Sequence, residues 1–208
     1  MAVHEIKHPL VKHKIGLLRQ KDIKVNHFRT IVSEIGVLLT YEATRNLVTQ
    51  TQTIDTWAGQ TDVQKINSQN ISVVPILRAG LGMLDGVLEM IPGAGVSVVG
   101  FARNEKTLEA EAYYEKLVKD IQNKEVLVVD PMLATGGTLD ATLNLLKAVG
   151  CKKIQGIFLV AAPEGLARIE NKHPDVNIYV AAIDDHLNDQ GYILPGLGDA
   201  GDKIFGTI

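Results

Sequence analysis

VLVVDPMLATGGT, residues 126–138, decides the fold. An apolar run from Val126 ends in an acid, Asp130. A short loop follows, then Thr135-Gly136-Gly137-Thr138. After it Leu139, Leu143, Leu146 and Val149 recur at helical spacing until Gly150 stops them. The run is rich in valine and does not alternate with polar residues. That is the pattern of a strand covered on both faces, as in a parallel sheet. The stretch is therefore a strand, a small-residue turn and a helix.

Working outward, the same grammar repeats. Apolar runs at Ile71 to Leu77, Val96 to Phe101, Ile154 to Ala161 and Val176 to Ile183 join Val126 to Asp130 as five predicted buried strands. Leu84, Val87, Leu88 and Ile91 mark a helix after the first, stopped by Pro92-Gly93. Pro163 sits where a first helical residue would, followed by Leu166 and Ile169. Phe28, Ile31, Ile35, Leu38 and Leu39 place an amphipathic helix within the first 60 residues. Strand and helix in alternation predict an α/β fold, a parallel sheet flanked by helices with right-handed crossovers. Two segments break the alternation. Arg103 to Asp120, charged and carrying Tyr113-Tyr114, is predicted to be a flap or hairpin. His186 to Ile208 holds Gly191, Gly196, Gly198, Gly201 and Gly206; it is expected to be an ordered cap, too glycine-rich for a regular element.

The 208 residues show no Ser/Gly-rich or Pro-rich linker, and one domain over 1–208 is expected. A net charge of −3 argues against a nucleic-acid binder that relies on bulk positive charge. Lys7, Lys12, Lys14 and Arg19, spaced by apolar residues, are predicted to form a solvated face. The single cysteine, Cys151, excludes an internal disulfide and a Cys-cluster metal site, and is expected to be a small core or surface thiol. The start lacks an apolar signal core and no apolar run reaches 18 residues, so neither secretion nor a membrane span is expected and a cytoplasmic location is.

Ligands of open α/β sheets bind beyond the C-terminal ends of the strands. A turn of small residues at a helix N-terminus offers backbone N–H groups and the positive end of the helix dipole to an anion, and the Thr135 and Thr138 hydroxyls add donors. A bare strand-to-helix turn capped by threonine is the plainer reading. Asp130, five residues before Thr135, shifts the balance toward a ribose phosphate, with its hydroxyls on the acid and its phosphate on the loop. No lysine follows the glycines, so this is not a Walker-type loop. The second turn lies in VVPILRAGLGMLDG, residues 73–86. Gly80, Gly82 and Gly86 suggest a dinucleotide fingerprint, but the spacing is wrong and Val98 and Val99 stand where its acid would be. Arg78 beside exposed amides suits a second anion such as diphosphate.

These stretches resemble the uracil phosphoribosyltransferases, a family of type I phosphoribosyltransferases. DPMLATGGT resembles the family's loop for 5-phosphoribosyl 1-diphosphate (PRPP), and ILRAGLGM its diphosphate loop. KHPLVKHKIGLLR at 7–19, LLTYEAT at 38–44, LVAAPEG at 159–165 and GYILPGLGDAGDKIFGT at 191–207 extend the likeness over essentially the whole chain. The resemblance implies a type I phosphoribosyltransferase fold with a flap at about 103–120 and a base-binding cap at about 186–208. It also implies transfer of phosphoribose from PRPP to uracil, giving UMP and diphosphate. PRPP would be bound by Arg78, Arg103, Asp130, Pro131, Met132, Leu133, Ala134, Thr135, Gly136, Gly137, Thr138 and Asp199. Uracil would be bound by Ile193, Gly198, Asp199 and Ala200. Asp130, Arg78 and Asp199 would serve the chemistry. Mg²⁺ would be held mainly by PRPP and water, with no direct protein ligand. GTP as an effector and a homo-oligomer are further implications; nucleic acid and membrane are not. The family usually has Tyr where Ala102 stands and often Pro near Ala110, so the flap is where this chain departs. A related enzyme for another base, and a nucleotide-sensing RNA-binding regulator on the same fold, are the rival readings.

Overall fold

A computed structural model describes residues 1–103 and 110–207. In chain order the elements are β1 (Val3–Glu5), α1 (Pro9–Leu18), α2 (Val25–Ala43), β2 (Thr49–Thr56), β3 (Gly59–Ile66), β4 (Ile71–Leu77), α3 (Leu81–Met90), β5 (Gly95–Val96), β6 (Val98–Arg103) and β7 (Ala110–Lys116). There follow β8 (Glu125–Val129), β9 (Met132–Leu133), α4 (Gly137–Ala148), β10 (Lys153–Ala161), α5 (Pro163–Lys172), β11 (Asn177–Ile183), β12 (His186–Leu187), β13 (Ile193–Leu194) and α6 (Ala200–Phe205).

The main sheet runs β1-β11-β10-β8-β4-β6-β7, parallel except that β7 is antiparallel to β6. Its strands are apolar on both sides because each side carries a helical layer. Val73, Leu127, Val129 and Ile157 pack with α1, α2, α3 and α6, while Val74, Val126, Val128 and Phe158 pack with α4 and α5. Neighbouring residues of one strand thus enter opposite cores, which is why no polar alternation marks these runs.

The predicted strands and helices stand nearly where the sequence places them. The run at 96–101 is divided: β5 and β6 both pair with β4, and between them Ser97 donates its N–H to Val73 O at 2.9 Å. The flap segment is a hairpin of β6 and β7; its centre, 104–109, lies outside the described residues. The segment 186–208 contains regular structure after all. β12 and β13 form an antiparallel pair, and α6 is a short helix between an Asp199 cap and Gly206. Gly191, Gly196, Gly198 and Gly206 lie between or at the ends of these elements, while Gly201 is taken into α6. The N-terminal basic segment is helix α1, started by Pro9 and capped by the His8 side chain. Lys7 and Lys14 pair at the surface with Glu5 and Glu34, but Arg19 turns inward, so the solvated face does not extend to it. Cys151 is buried.

Several elements had no forecast: β1, α1, β9 and the strands β2 and β3. Among the described residues β2 and β3 pair only with each other, in a hairpin that carries Trp57, fully exposed, at its turn. Among the described residues no helix is long and apolar enough to cross a membrane.

β4 and β8 are neighbours from which the chain leaves in opposite directions. β4 leads through α3 on one face to β6, and β8 leads through α4 on the other face to β10. The crevice between their C-terminal ends is the place where an open α/β sheet takes a ligand.

Candidate active site

Arg78 and Asp130 are the first residues beyond β4 and β8, so the crossover places both at that crevice. The two strand-end turns are pressed together at Gly80. A Cβ there would lie 2.5 Å from the carbonyl oxygen of Val129 and 2.6 Å from the nitrogen of Ile76, so no larger residue fits. The Leu77–Arg78 peptide is cis. Arg78 extends its guanidinium to Asp202, 3.3 Å away, and over the ring of Phe205 at 5.5 Å. The C-terminal helix α6 therefore touches the arginine of the first turn.

Asp130 is half-buried, and its carboxylate accepts from the Met132 N–H at 3.3 Å. Loss of water around it pushes its pKa up to about 7, against the pull of that one hydrogen bond. An acid so placed, with no cation paired to it among the described residues, is set apart from carboxylates such as Asp140 and Asp184 that are held in ion pairs.

Beyond Asp130 the loop is threaded along β10. Pro131 O accepts from Leu159 and Val160, and Leu133 O from Ala162. Pro131 and Leu133 are buried, so it is their main chain that borders the crevice. The turn itself is made by Gly136, whose φ of +75° places it in the left-handed region. No side chain caps α4 at Gly136, and Thr135 and Thr138 are exposed beside it. The Thr135 hydroxyl accepts from the Gly137 N–H at 3.4 Å.

Two clefts meet over these turns and share Ala134 and Gly191. One, of about 330 Å³, brings Arg78, Asp130, Ile193, Gly198, Asp199 and Ala200 together. The other, of about 860 Å³, runs over Thr135, Gly137 and Thr138 toward α5 and, across the crevice, Phe101 and Ala102. Asp199 is engaged: its carboxylate caps α6 by accepting from the Asp202 N–H at 2.9 Å. Ile193 and Ala200 are buried. Arg103 ends β6, and its side chain lies outside the described residues.

Two further groups join the site unforeseen. Arg19 and Asp184 clamp the turn at Gly196 that precedes the 197–200 loop. Arg168 of α5 lies against the glycine turn and binds Asp140 of α4. Burial alone would raise the Asp140 carboxyl, but hydrogen bonds from Lys172, Arg168 and His173 outweigh it and hold the pKa well below the usual carboxylate range. Neither group has a local signature. Arg168 and Lys172 fall on the polar face of a helix that starts beside the loop, and only that starting point hints at their use.

The geometry agrees with what the chain is similar to. The profile of the uracil phosphoribosyltransferase family matches residues 5–207. A protein of Aquifex aeolicus with a solved structure is 42% identical and superposes with a TM-score of 0.94 over 98% of this chain and 97% of that one. The adenine phosphoribosyltransferase of Trypanosoma brucei, solved with AMP, pyrophosphate and ribose-5-phosphate, is 14% identical. It matches 91% of this chain and 86% of its own at a TM-score of 0.57. A hypoxanthine-guanine phosphoribosyltransferase of Bacillus anthracis is 16% identical, with a TM-score of 0.51 over 76% of this chain and 78% of that one. The last two likenesses are of fold alone. Matched over nearly its whole length, the chain is a phosphoribosyltransferase and belongs to the uracil phosphoribosyltransferase family.

Proposed function

We propose that the chain transfers the 5-phosphoribosyl group from PRPP to N1 of uracil, giving UMP and diphosphate. The observation that carries this reading is the meeting of Arg78, Asp130 and the 198–200 main chain around one cleft. A cation for a leaving diphosphate, an acid for ribose hydroxyls and a loop for a base edge are what such a transfer requires.

Asp130, when ionised, would accept from the ribose hydroxyls. The turn from Thr135 to Thr138 would hold the 5-phosphate. Arg78 and Arg103 would meet the charge that builds on diphosphate as it leaves. Gly198 and Ala200 present almost no side chain, so main-chain groups there would read the base. Uracil offers O2 and O4 as acceptors and N3–H as a donor. Cytosine reverses two of these and would leave buried groups unpaired, which costs several kcal/mol at most sites of this kind, on the order of 100-fold or more. Asp199, beside that loop, would order the substrate's solvent shell or receive the N1 proton.

Mg²⁺, when bound, would neutralise part of the diphosphate charge. Among the described residues no group of three or more His, Cys, Asp or Glu is placed to hold a metal ion. The cleft brings two carboxylates, Asp130 and Asp199. That donor set fits a hydrated cation carried by PRPP oxygens, and Asp130 and Asp199 would be the residues to help hold it.

Incubation with uracil, PRPP and Mg²⁺ should yield UMP and diphosphate. Turnover of a purine or of orotate in place of uracil would remove the base assignment, and RNA binding without turnover would favour a regulator. The same assay with added GTP, together with light scattering, tests the expected effector response and homo-oligomer.

A further inference from the structure

We propose that Arg168 is a ligand of the substrate's 5-phosphate, held ready for it by Asp140. The inference rests on the reading of Thr135 to Thr138 as the phosphate turn and adds to it a side chain from another helix.

Helix α5 begins in contact with that turn. A Cβ on Gly165 would lie 2.2 Å from the carbonyl oxygen of Ala134, so only glycine lets α5 start there. Arg168, one turn further on, folds back over the loop. Its Cδ lies 3.3 Å from the place a Cβ on Gly136 would take, and its Nη1 3.7 Å from that of Gly137. The other edge of the guanidinium is committed elsewhere. Nε and Nη2 donate to Asp140 Oδ2 at 3.2 and 2.8 Å. The fork is thus gripped on one edge while Nη1, outside that pair, is on the side of the glycine turn.

Asp140 is a rigid anchor. It is buried, and besides Arg168 it accepts from Lys172 Nζ at 2.6 Å and Asn144 Nδ2 at 3.2 Å, with His173 Nε2 at 3.1 Å. The carboxylate is therefore well supplied without Arg168, and a purely structural partner would not need to reach the loop. Arg168 and Lys172 together outnumber the Asp140 carboxylate that they share. Arg168 itself is 42% exposed, and it lines the larger cleft together with Thr135, Gly137 and Thr138. A phosphate on the loop N–H groups would meet a donor whose orientation is already fixed, so little side-chain freedom is lost on binding.

Binding of ribose 5-phosphate and of diphosphate, each alone, to the full chain by calorimetry tests the assignment. Arg168→Ala should weaken ribose 5-phosphate on the order of 10-fold, as expected for one charge-assisted hydrogen bond, and leave diphosphate within about 2-fold. Arg168→Lys should fall between the two. Lys172→Ala, which removes the other cation of Asp140 but not the one against the turn, should weaken ribose 5-phosphate less than about 3-fold. Equal losses in Arg168→Ala and Lys172→Ala would show that the effect runs through Asp140 and would overturn the proposal, as would unchanged binding in Arg168→Ala. Gly136→Ala separates the two layers of the argument. If it abolishes ribose 5-phosphate binding and Arg168→Ala leaves that binding unchanged, Arg168 alone is misassigned. If it too binds normally, the turn is not the phosphate site and both readings fall.

Discussion

Arg19 and Asp184, 165 positions apart in the chain, form a two-pronged ion pair: Nη2 to Oδ1 at 2.5 Å and Nη1 to Oδ2 at 2.9 Å. Asp184 Oδ2 also accepts from the Gly196 N–H at 2.9 Å, and Arg19 Nη1 donates to the Gly196 carbonyl at 2.9 Å. The residue after α1 and the residue after β11 thus grip both polar groups of one peptide turn, three residues before Asp199. Arg19→Ala should strand a buried carboxylate and cost about 2–4 kcal/mol of stability in urea unfolding. Because the turn carries the loop proposed to read the base, the KM for uracil should rise more than the KM for PRPP. Equal rises in both would assign the pair to general stability.

Asp130 should trade stability for activity. Its pKa is raised in the folded chain to about 7, so the folded state binds the proton more tightly than the unfolded one. Such a group stabilises fully below the unfolded value and loses that contribution as pH rises through 7. Asp130→Asn, which cannot ionise, should be on the order of 1 kcal/mol more stable than the parent at pH 8 and no more stable at pH 4. Its catalytic efficiency should fall on the order of 100-fold or more. Thermal unfolding at the two pH values and turnover at limiting PRPP check both halves; near-normal turnover would remove Asp130 from the site.

Arg78 is held by Asp202 and Phe205 and not by its own turn. Arg78→Ala should raise the PRPP requirement on the order of 10-fold or more and slow turnover, with uracil affinity less affected. Arg78→Lys should rescue in part, since a point charge replaces a planar fork. Steady-state constants for both substrates decide it, and activity of Arg78→Ala equal to the parent would leave the turn a structural feature only.

The cap at Asp199 makes a sharper test possible. Asn caps a helix about as well as Asp, so Asp199→Asn should keep α6 in place. A drop in turnover with unchanged thermal stability would then report chemistry by the carboxylate, whereas normal turnover would leave Asp199 as a cap alone. Ala200→Val, at a buried position beside it, should harm uracil use more than PRPP binding and cost about 1–3 kcal/mol through overpacking.

The sequence determined the sheet and the two loops that matter. A strand covered on both faces must be apolar at successive positions, and a turn that receives a strand end must be small, so β4, β8, β10 and β11 and the turns at Arg78 and Gly136 announce themselves locally. β2 and β3 do not, because their Thr and Gln residues meet solvent and no core imprints a period on them. α6 is hidden for a related reason: six residues between Asp199 and Gly206 are too few to show a repeat. The clamp of Arg19 on Asp184 and the grip of Asp140 on Arg168 were decided by tertiary structure alone. Each joins residues that share a neighbourhood only after β11 is laid beside β10 and α5 beside α4. A charged side chain on its own helix reads as a solvated one, and only the arrival of a distant buried carboxylate makes it part of a site.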